Sequence, residues 1–261
     1  MKIIDSPSLR SLGNRQLRFY LTNASPCPYL DGQIERKVFT NLATHDAEHL
    51  HDALTQSGFR RSQNIAYRPA CPGCNACKAT RLPVADFTRS KRWRRVWNKN
   101  SSLMRFPRRP VATREQFRLL KTYLDARHEN GGMTQMDLRD YVAMVEGSPI
   151  PSVIFEYREG DDIDSPLIAV AIADVLRDGL SMVYSFFDPA WTKNGLGNFI
   201  ILDHIEHARQ LGLDYVYMGY WVHGSQKMGY KSDFRPLEVL DGEEWTAIEE
   251  LEKKIGMGTT E

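Results

Sequence analysis

The run Ser181-Met182-Val183-Tyr184-Ser185-Phe186-Phe187-Asp188-Pro189, followed by Trp191-Thr192-Lys193-Asn194-Gly195-Leu196-Gly197-Asn198, decides how this chain is read. The first half is a strand that Asp188-Pro189 ends. The second half is a glycine turn that opens an amphipathic helix over Asn198 to Leu211, with Phe199, Leu202, Ile205 and Ala208 on one face and Gly212 as its stop. Tyr215 to Trp221 is then the next strand. Glycines at i and i+2 let backbone amides turn outward at a helix start, where the helix dipole favours an anion or a developing oxyanion. Lys193 adds a mobile positive charge. A Gly-x-Gly taken alone is equally a tight turn that lets a helix pack closely.

Outward from this unit the rhythm continues. Upstream lie helices over Thr113 to Glu129 and Met136 to Val145, the first stopped by Asn130-Gly131-Gly132, then strands over Ser152 to Tyr157 and Leu167 to Leu176. Downstream lie a short helix over Ser225 to Tyr230 and a closing strand over Leu237 to Leu240. The order helix–helix–strand–strand–strand–turn–helix–strand–helix–strand resembles the GNAT acyltransferases, an α/β (α+β) fold in which the turn holds the acyl donor. Lys193-Asn194-Gly195-Leu196-Gly197 stands where that family has Arg-x-x-Gly-x-Gly. Lys193 is two residues before Gly195 rather than three, which leaves room for an acyl donor other than coenzyme A.

The first part of the chain is built differently. Strands are expected at Phe19 to Leu21, Lys37 to Leu42, Ile65 to Tyr67 and Ala79 to Val84, with a helix from a Thr44 cap to Ser57, ended at Gly58. A helix over Asp86 to Ser102 is basic and aromatic. From Phe87 to Arg114 there are ten Lys and Arg and no acidic residue. Pro107 and Pro110 follow, and the domain boundary is placed there: 1–105 as a smaller α/β domain with a cysteine turn and the basic helix, 106–261 as the GNAT-like domain. Phosphates attract Arg92, Arg94 and Arg95, and Trp can stack on an unpaired base. Trp93 and Trp97, at i and i+4, share a face that packs inward.

The four cysteines are Cys27, Cys71, Cys74 and Cys77, three of them within seven residues. Such clustering in a chain read as cytosolic points to metal or redox chemistry, with reduced thiols packing a tight turn as the other reading. Four thiolates suit tetrahedral zinc or an iron–sulfur cluster. Asp203-His204-Ile205-Glu206-His207 lacks His-Glu-x-x-His spacing and reads as a solvated helix face. The chain has 261 residues and a formal net charge of +1, so any pull on nucleic acid is local. No run approaches the ~20 apolar residues that span a bilayer. Met1 to Leu12 shows no secretory pattern, so a cytoplasmic protein with no membrane partner is expected.

Longer blocks carry a closer resemblance. These are Phe19-Tyr20-Leu21 with Cys27-Pro28-Tyr29-Leu30, Gly58-Phe59-Arg60-Arg61-Ser62, and Tyr67-Arg68-Pro69-Ala70-Cys71. Further on come Arg127-His128 with Gly131-Gly132-Met133, Ser185 to Pro189, Gly219-Tyr220-Trp221-Val222, Ser225-Gln226-Lys227-Met228, Tyr230-Lys231 and Phe234 to Glu238. Together they resemble the aminoacyl-tRNA–protein transferases of the N-degron pathway. The compact length and the Cys-x-x-Cys-x-x-Cys form are similar to bacterial members, which move leucine from leucyl-tRNA to proteins beginning with Asp or Glu and so mark them for degradation. Eukaryotic members carry an iron–sulfur cluster on a different cysteine pattern.

The resemblance implies direct attack of the acceptor α-amine on an already activated ester, so the chemistry requires no cofactor. Lys193, Asn194, Gly195, Leu196, Gly197 and Trp221, with the basic helix, are the candidates for aminoacyl-tRNA. Asp188, Tyr220, Ser225 and Lys227 are the candidates around the reacting atoms, although Asp before Pro is also a common turn. An acidic first residue is best gripped by cations, for which Arg60, Arg61, Arg68 and Lys231 are placed. Two other classes stay open at this point: a conventional acetyl-coenzyme A enzyme and a non-enzymatic metal- or RNA-binding adaptor.

Overall fold

The structure, a computed structural model, describes residues 17–127, 132–225 and 227–257. The expectations for Met1 to Leu12, His128, Asn130-Gly131 and Gln226 lie outside them. In chain order come β1 (Tyr20–Leu21), β2 (Ser25–Pro26), β3 (Ile34–Glu35), β4 (Lys37–Asn41), α1 (Ala47–Gln56), β5 (Arg60–Ser62), β6 (Ile65–Pro69) and β7 (Cys77–Pro83). Next are α2 (Lys91–Lys99), β8 (Leu103–Arg108), α3 (Arg114–Arg127), α4 (Leu138–Glu146), β9 (Ser152–Glu159), β10 (Leu167–Val175), β11 (Gly179–Phe187) and α5 (Leu196–Gln210). The chain ends with β12 (Tyr215–Val222), β13 (Glu238–Asp241), β14 (Glu244–Ala247) and α6 (Ile248–Met257). The fold is mixed α/β, and the expected succession of two helices, three strands, glycine turn, helix and strand is the one observed.

The chain forms two compact units, but not as the contiguous halves 1–105 and 106–261. One unit joins Met1–Phe87 to Asp214–Glu261, and the other is Thr88–Leu213. The reason is a long-range pairing: β12 returns to run antiparallel to β7, from Tyr215 opposite Pro83 to Val222 opposite Cys77. Pro107, read as a boundary mark, instead lies in β8 at a sheet edge, where a strand tolerates a missing N–H.

In the 88–213 unit the strand order is β11-β10-β9-β8. β10 is buried at eight of its nine positions, as a strand covered on both faces must be. One face presents Phe155, Tyr157, Ala169 and Ala171 to Phe199 and Ile200 of α5. The other presents Ile154, Val170, Ile172 and Phe186 to Leu120 and Leu124 of α3 and Tyr141 and Val145 of α4. Both helices on that face start at reciprocal caps. Thr113 Oγ1 accepts from the Gln116 amide while Gln116 Oε1 accepts from the Thr113 amide, each at 3.1 Å. Asp137 and Asp140 do the same for α4.

In the other unit, β1-β4-β6-β5 form one sheet, β14-β13-β7-β12 are neighbours in a second, and β2 pairs with β3. Three expected boundaries move. The α1 N-cap is Asp46, not Thr44, whose amide is spent on Leu42 O at 2.7 Å. The basic helix starts only at Lys91, because Ser90 Oγ takes the Trp93 amide. The short helix expected at Ser225 to Tyr230 is a single 3-10 turn over Gly229–Asp233. Among the described residues no helix is long and apolar enough to cross a membrane.

Candidate functional site

Two clusters of the expected residues form, one in each unit. In the 88–213 unit, Asp188 closes β11 and caps the 3-10 turn Pro189–Asn194, its carboxylate accepting from the Ala190 amide at 2.9 Å. Asp188 is therefore a strand-ending turn residue. Gly195 then adopts the left-handed region, φ 70°, and α5 starts there without a side-chain cap. The Asn198 and Phe199 amides both point back to Gly195 O. Leu196 and Gly197 supply the remaining first-turn amides of a 15-residue helix, and Lys193 stands exposed beside them.

The basic helix belongs to this turn. Asn100, fully buried at the end of α2, donates from one amide nitrogen to Val96 O at 2.8 Å and to Asn194 O at 3.0 Å. Val96 lies under Gly195, with its methyls 3.7 and 3.8 Å from where a Gly195 Cβ would be. Trp93 is buried and Trp97 packs on Phe199 with centroids 5.3 Å apart, while Arg92, Arg94 and Arg95 are exposed. Arg89 is already used, stacked 3.7 Å from the Trp97 centroid and paired to Glu206 at 2.9 Å. The tryptophans are core and the cations face outward, as their spacing implied. Asn100 was not singled out from the sequence, since a polar residue after a helix ordinarily signals only its end.

The expectation for Asp203 to His207 fails for His204. It is fully buried, with Nδ1 2.7 Å from Ile200 O and no partner for Nε2 among the described residues. Burial pushes its pKa down to about 4. Asp203 is buried too, accepting from Tyr157 OH at 2.8 Å and Arg105 Nη1 at 2.9 Å. The helix buries more than the four-residue stripe because it covers β9 as well as β11. A separate cavity of about 590 Å³ opens near Arg108, Glu115, Glu156 and Arg158. Within it Arg158 bridges Glu115 at 2.7 Å and Glu156 at 3.0 Å.

In the other unit the centre is a bulge in β12. Tyr217 opposes Arg81 and Gly219 opposes Thr80, so Met218 is the extra residue. Gly219 has φ 88°, and Thr80 Oγ1 donates to its carbonyl at 2.9 Å. A Cβ on Gly219 would lie 3.2 Å from Lys231 Nζ and 3.6 Å from the Arg60 guanidinium carbon. Arg60 Nη1 donates to Tyr217 O at 3.4 Å, and Lys231 Nζ donates to Tyr220 O at 2.7 Å. Burial first, then Arg60, pushes the Lys231 ammonium down to about 7. An isolated glycine inside a strand pattern was the available sign of this bulge.

The remaining candidates separate. Arg61 points to the opposite face from Arg60, buried and donating to Gln63 O at 3.0 Å. Arg68 lies over the Phe59 ring at 5.1 Å and donates to Ser57 O at 3.3 Å. Tyr220 is buried with its hydroxyl 2.8 Å from Gly58 O and 3.1 Å from Tyr67 O, and burial drives its pKa well above the ordinary phenol value. It braces the strand and is a poor acid or base. Trp221 and Ser225 are buried, and Lys227 is exposed.

The cysteines are free and half-buried. Burial, with Cys71, Cys27 and Cys74 as neighbours, pushes the Cys77 thiol up to about 11, so the four share one neighbourhood. Cys71 is held by the Arg36 backbone. Among the described residues no three of His, Cys, Asp or Glu are arranged to hold a metal ion. As placed, the thiols do not form the ligand set expected of zinc or a cluster, and no step below runs through one.

Comparison with known proteins divides the chain into two contiguous stretches, which do not coincide with the two compact units. Residues 25–95 match the family described as arginine-tRNA-protein transferase, N terminus, and residues 115–241 match its C terminus. An aspartate/glutamate leucyltransferase of Hyphomonas neptunium is 59% identical over 252 residues, covering 97% of this chain and 100% of that protein. Proteins of the same name from Ruegeria sp. and Phenylobacterium zucineum are 52% and 53% identical, over 90% of this chain and 85% and 92% of theirs. Among solved structures, L-PGS from Bacillus licheniformis aligns with 59% of this chain and 49% of its own, at 14% identity and TM-score 0.45. With both family halves matched in order and relatives this similar along nearly the whole length, the chain belongs to the arginine-tRNA–protein transferase family.

Proposed function

We propose that this protein is an aminoacyltransferase that moves leucine from leucyl-tRNA to the N-terminal Asp or Glu of acceptor proteins, marking them for degradation in the cytoplasm. One observation carries the reading: the 59% identity that runs the full length of a relative named aspartate/glutamate leucyltransferase. The acetyl-coenzyme A and adaptor alternatives gain nothing comparable.

The residues fit the chemistry. The donor ester is already activated, so catalysis consists of alignment, oxyanion stabilisation and loss of one proton from the amine. On the donor side, the Leu196 and Gly197 amides at the start of α5 face the developing oxyanion, Lys193 pairs with a terminal phosphate, and Arg92, Arg94 and Arg95 follow the acceptor stem. On the acceptor side, the first residue's carboxylate calls for a cation, which the β12 bulge supplies. The α-amine, with an ordinary pKa of about 7.7–8.0, needs only a modest base or water. As the amine nitrogen bonds to the ester carbon, the tetrahedral centre collapses and expels the tRNA ribose oxygen, which takes up a proton.

The test is incubation with radiolabelled leucyl- and arginyl-tRNA and peptides beginning Asp, Glu, Arg or Lys. Label from leucyl-tRNA on Asp and Glu peptides is expected. Transfer from arginyl-tRNA alone, or a preference for Arg and Lys acceptors, would overturn the reading.

A further inference from the structure

Asn100 makes a bond that closing a helix does not explain. It ends α2, with its backbone N–H donating to Trp97 O at 3.1 Å and its side-chain amide donating to Val96 O at 2.8 Å. Those are the duties of a C-terminal cap. The same nitrogen carries a second hydrogen. That one leaves the helix for Asn194 O, 94 residues along the chain, at 3.0 Å. Both neighbours are carbonyls, so the nitrogen of the amide and not its oxygen faces them. Asn100 is fully buried, and among the described residues its Oδ1 has no hydrogen-bond partner. An unpaired buried oxygen lowers stability, so the amide is retained for its two donors. Asn194 immediately precedes Gly195, whose left-handed backbone turns the chain into α5. Two other contacts keep α2 against the body of α5: Trp97 on Phe199, with centroids 5.3 Å apart, and Arg89 to Glu206 at 2.9 Å. Of the three, the Asn100 bond is the one that reaches the turn itself.

We propose that Asn100 is a positioning residue of the donor site. It holds the turn carrying Lys193, Gly195 and Gly197 in register with Arg92, Arg94 and Arg95 on α2, so that tRNA gripped by those cations brings its ester to the first-turn amides of α5. This rests on the functional reading above and deepens its donor side. Attraction between a cation and a phosphate acts over several ångströms and tolerates a displaced turn. Oxyanion stabilisation does not: its donors work at about 2.7–3.1 Å, and a displacement of about 1 Å can cost about a hundredfold in rate. Asn100 therefore governs turnover, while the α2 cations govern affinity. Its buried side chain acts through Asn194 O and not on the substrate.

The experiment uses the full chain with leucyl-tRNA and an Asp-starting peptide, varying each in turn. Asn100→Leu keeps the volume and removes both donors. It is expected to lower kcat about tenfold or more, with KM for leucyl-tRNA, its salt dependence and KM for the peptide within about twofold of the parent. Asn100→Gln, which keeps the amide, should recover part of kcat. A merely structural bond would instead lower the melting temperature and spare kcat in the folded molecules. Val145→Ala, in the core on the opposite face of the sheet, is the control for that, and should melt lower with kcat near the parent's. Should Asn100→Leu not fold, Asn100→Asp, of the same size but turning a carboxylate on two carbonyls, carries the same test. A folded Asn100→Leu or Asn100→Asp with parental kcat, or a loss confined to KM for leucyl-tRNA, overturns the positioning role. Leucine transfer by the parent with such a variant sinks this inference alone, whereas a parent that transfers no leucine from leucyl-tRNA sinks the functional reading and this inference with it.

Discussion

Gly195 and Gly219 have nearly the same backbone hand, φ 70° and 88°, and opposite surroundings. A side chain at Gly195 would meet only Val96 methyls at ordinary contact distance. At Gly219 it would press on the Lys231 ammonium at 3.2 Å and touch the Arg60 guanidinium at an ordinary 3.6 Å. The first glycine is there for the turn it makes, bending the chain into α5 so that backbone amides lead. The second lies where two cationic side chains crowd its bare Cα. Glycines with one dihedral signature thus sit in two surroundings, one at a helix start and one beneath two cationic side chains.

The largest effect follows from that contrast. Gly219→Val combines a left-handed β-branched residue, ~2 kcal/mol, with pressure on the buried Lys231 ammonium. A melting temperature lower by about 10 °C and loss of detectable transfer to Asp peptides are expected. A variant that melts normally and transfers normally would erase the distinction between the two glycines.

The second effect separates the units by pH. His204, under α5, is a base whose pKa is lowered from 6.5 to about 4 by burial. The unfolded chain binds its proton first, so stability is intact above pH 6.5 and falls as pH drops towards 4, by about 3 kcal/mol in all. Lys231 is also a lowered base, but its window lies between its ordinary 10.5 and about 7, with stability declining as pH falls through that range. Denaturant melts of the parent against His204→Leu should diverge on the acid side, and those against Lys231→Met on the alkaline side. Parallel curves in either window would contradict the burial assigned to that group.

Smaller effects sharpen the reading of the turn. Gly195→Ala should lose about 1 kcal/mol, a fall in melting temperature of roughly 3 °C, from backbone strain alone. Gly197→Ala, free of that strain and in ordinary contact with Phe187 at 3.7 Å, should melt unchanged yet raise KM for leucyl-tRNA. A normal KM there would leave the turn structural. Smallest is Lys193→Ala, expected to raise KM for leucyl-tRNA two- to fivefold while sparing the peptide. An effect on the peptide instead would move Lys193 to the acceptor side.

The sequence made β10, β11, the glycine turn, α5 and β12 legible because period and punctuation are local. Eight buried positions in a row, Asp188-Pro189 as a stop and Gly195-x-Gly197 as a start are all read within ten residues. Residues whose meaning depends on a distant partner were not legible. The unit boundary turns on β12 pairing with β7, which no window reveals. Arg60, Arg61 and Arg68 look alike in sequence, and only strand alternation and the arrival of Lys231 from beyond β12 set Arg60 apart. Asn100 is silent until Asn194 is beside it. His204 was misread because a nine-residue burial surface on α5 includes polar residues that the hydrophobic stripe leaves out.

The donor is proposed to bind the Thr88–Leu213 unit and the acceptor the other. Steady-state kinetics on two folded variants, Arg92→Glu/Arg94→Glu/Arg95→Glu and Lys231→Met, varying leucyl-tRNA and an Asp-starting peptide in turn, tests this most directly. The predicted result is a crossed pattern. The triple reversal weakens leucyl-tRNA, with a salt slope shallower by up to about three, and spares the peptide. Lys231→Met weakens the peptide and spares leucyl-tRNA. If both variants change the same constant, or the triple reversal leaves both tRNA affinity and its salt slope intact, the division of labour between the two units is wrong.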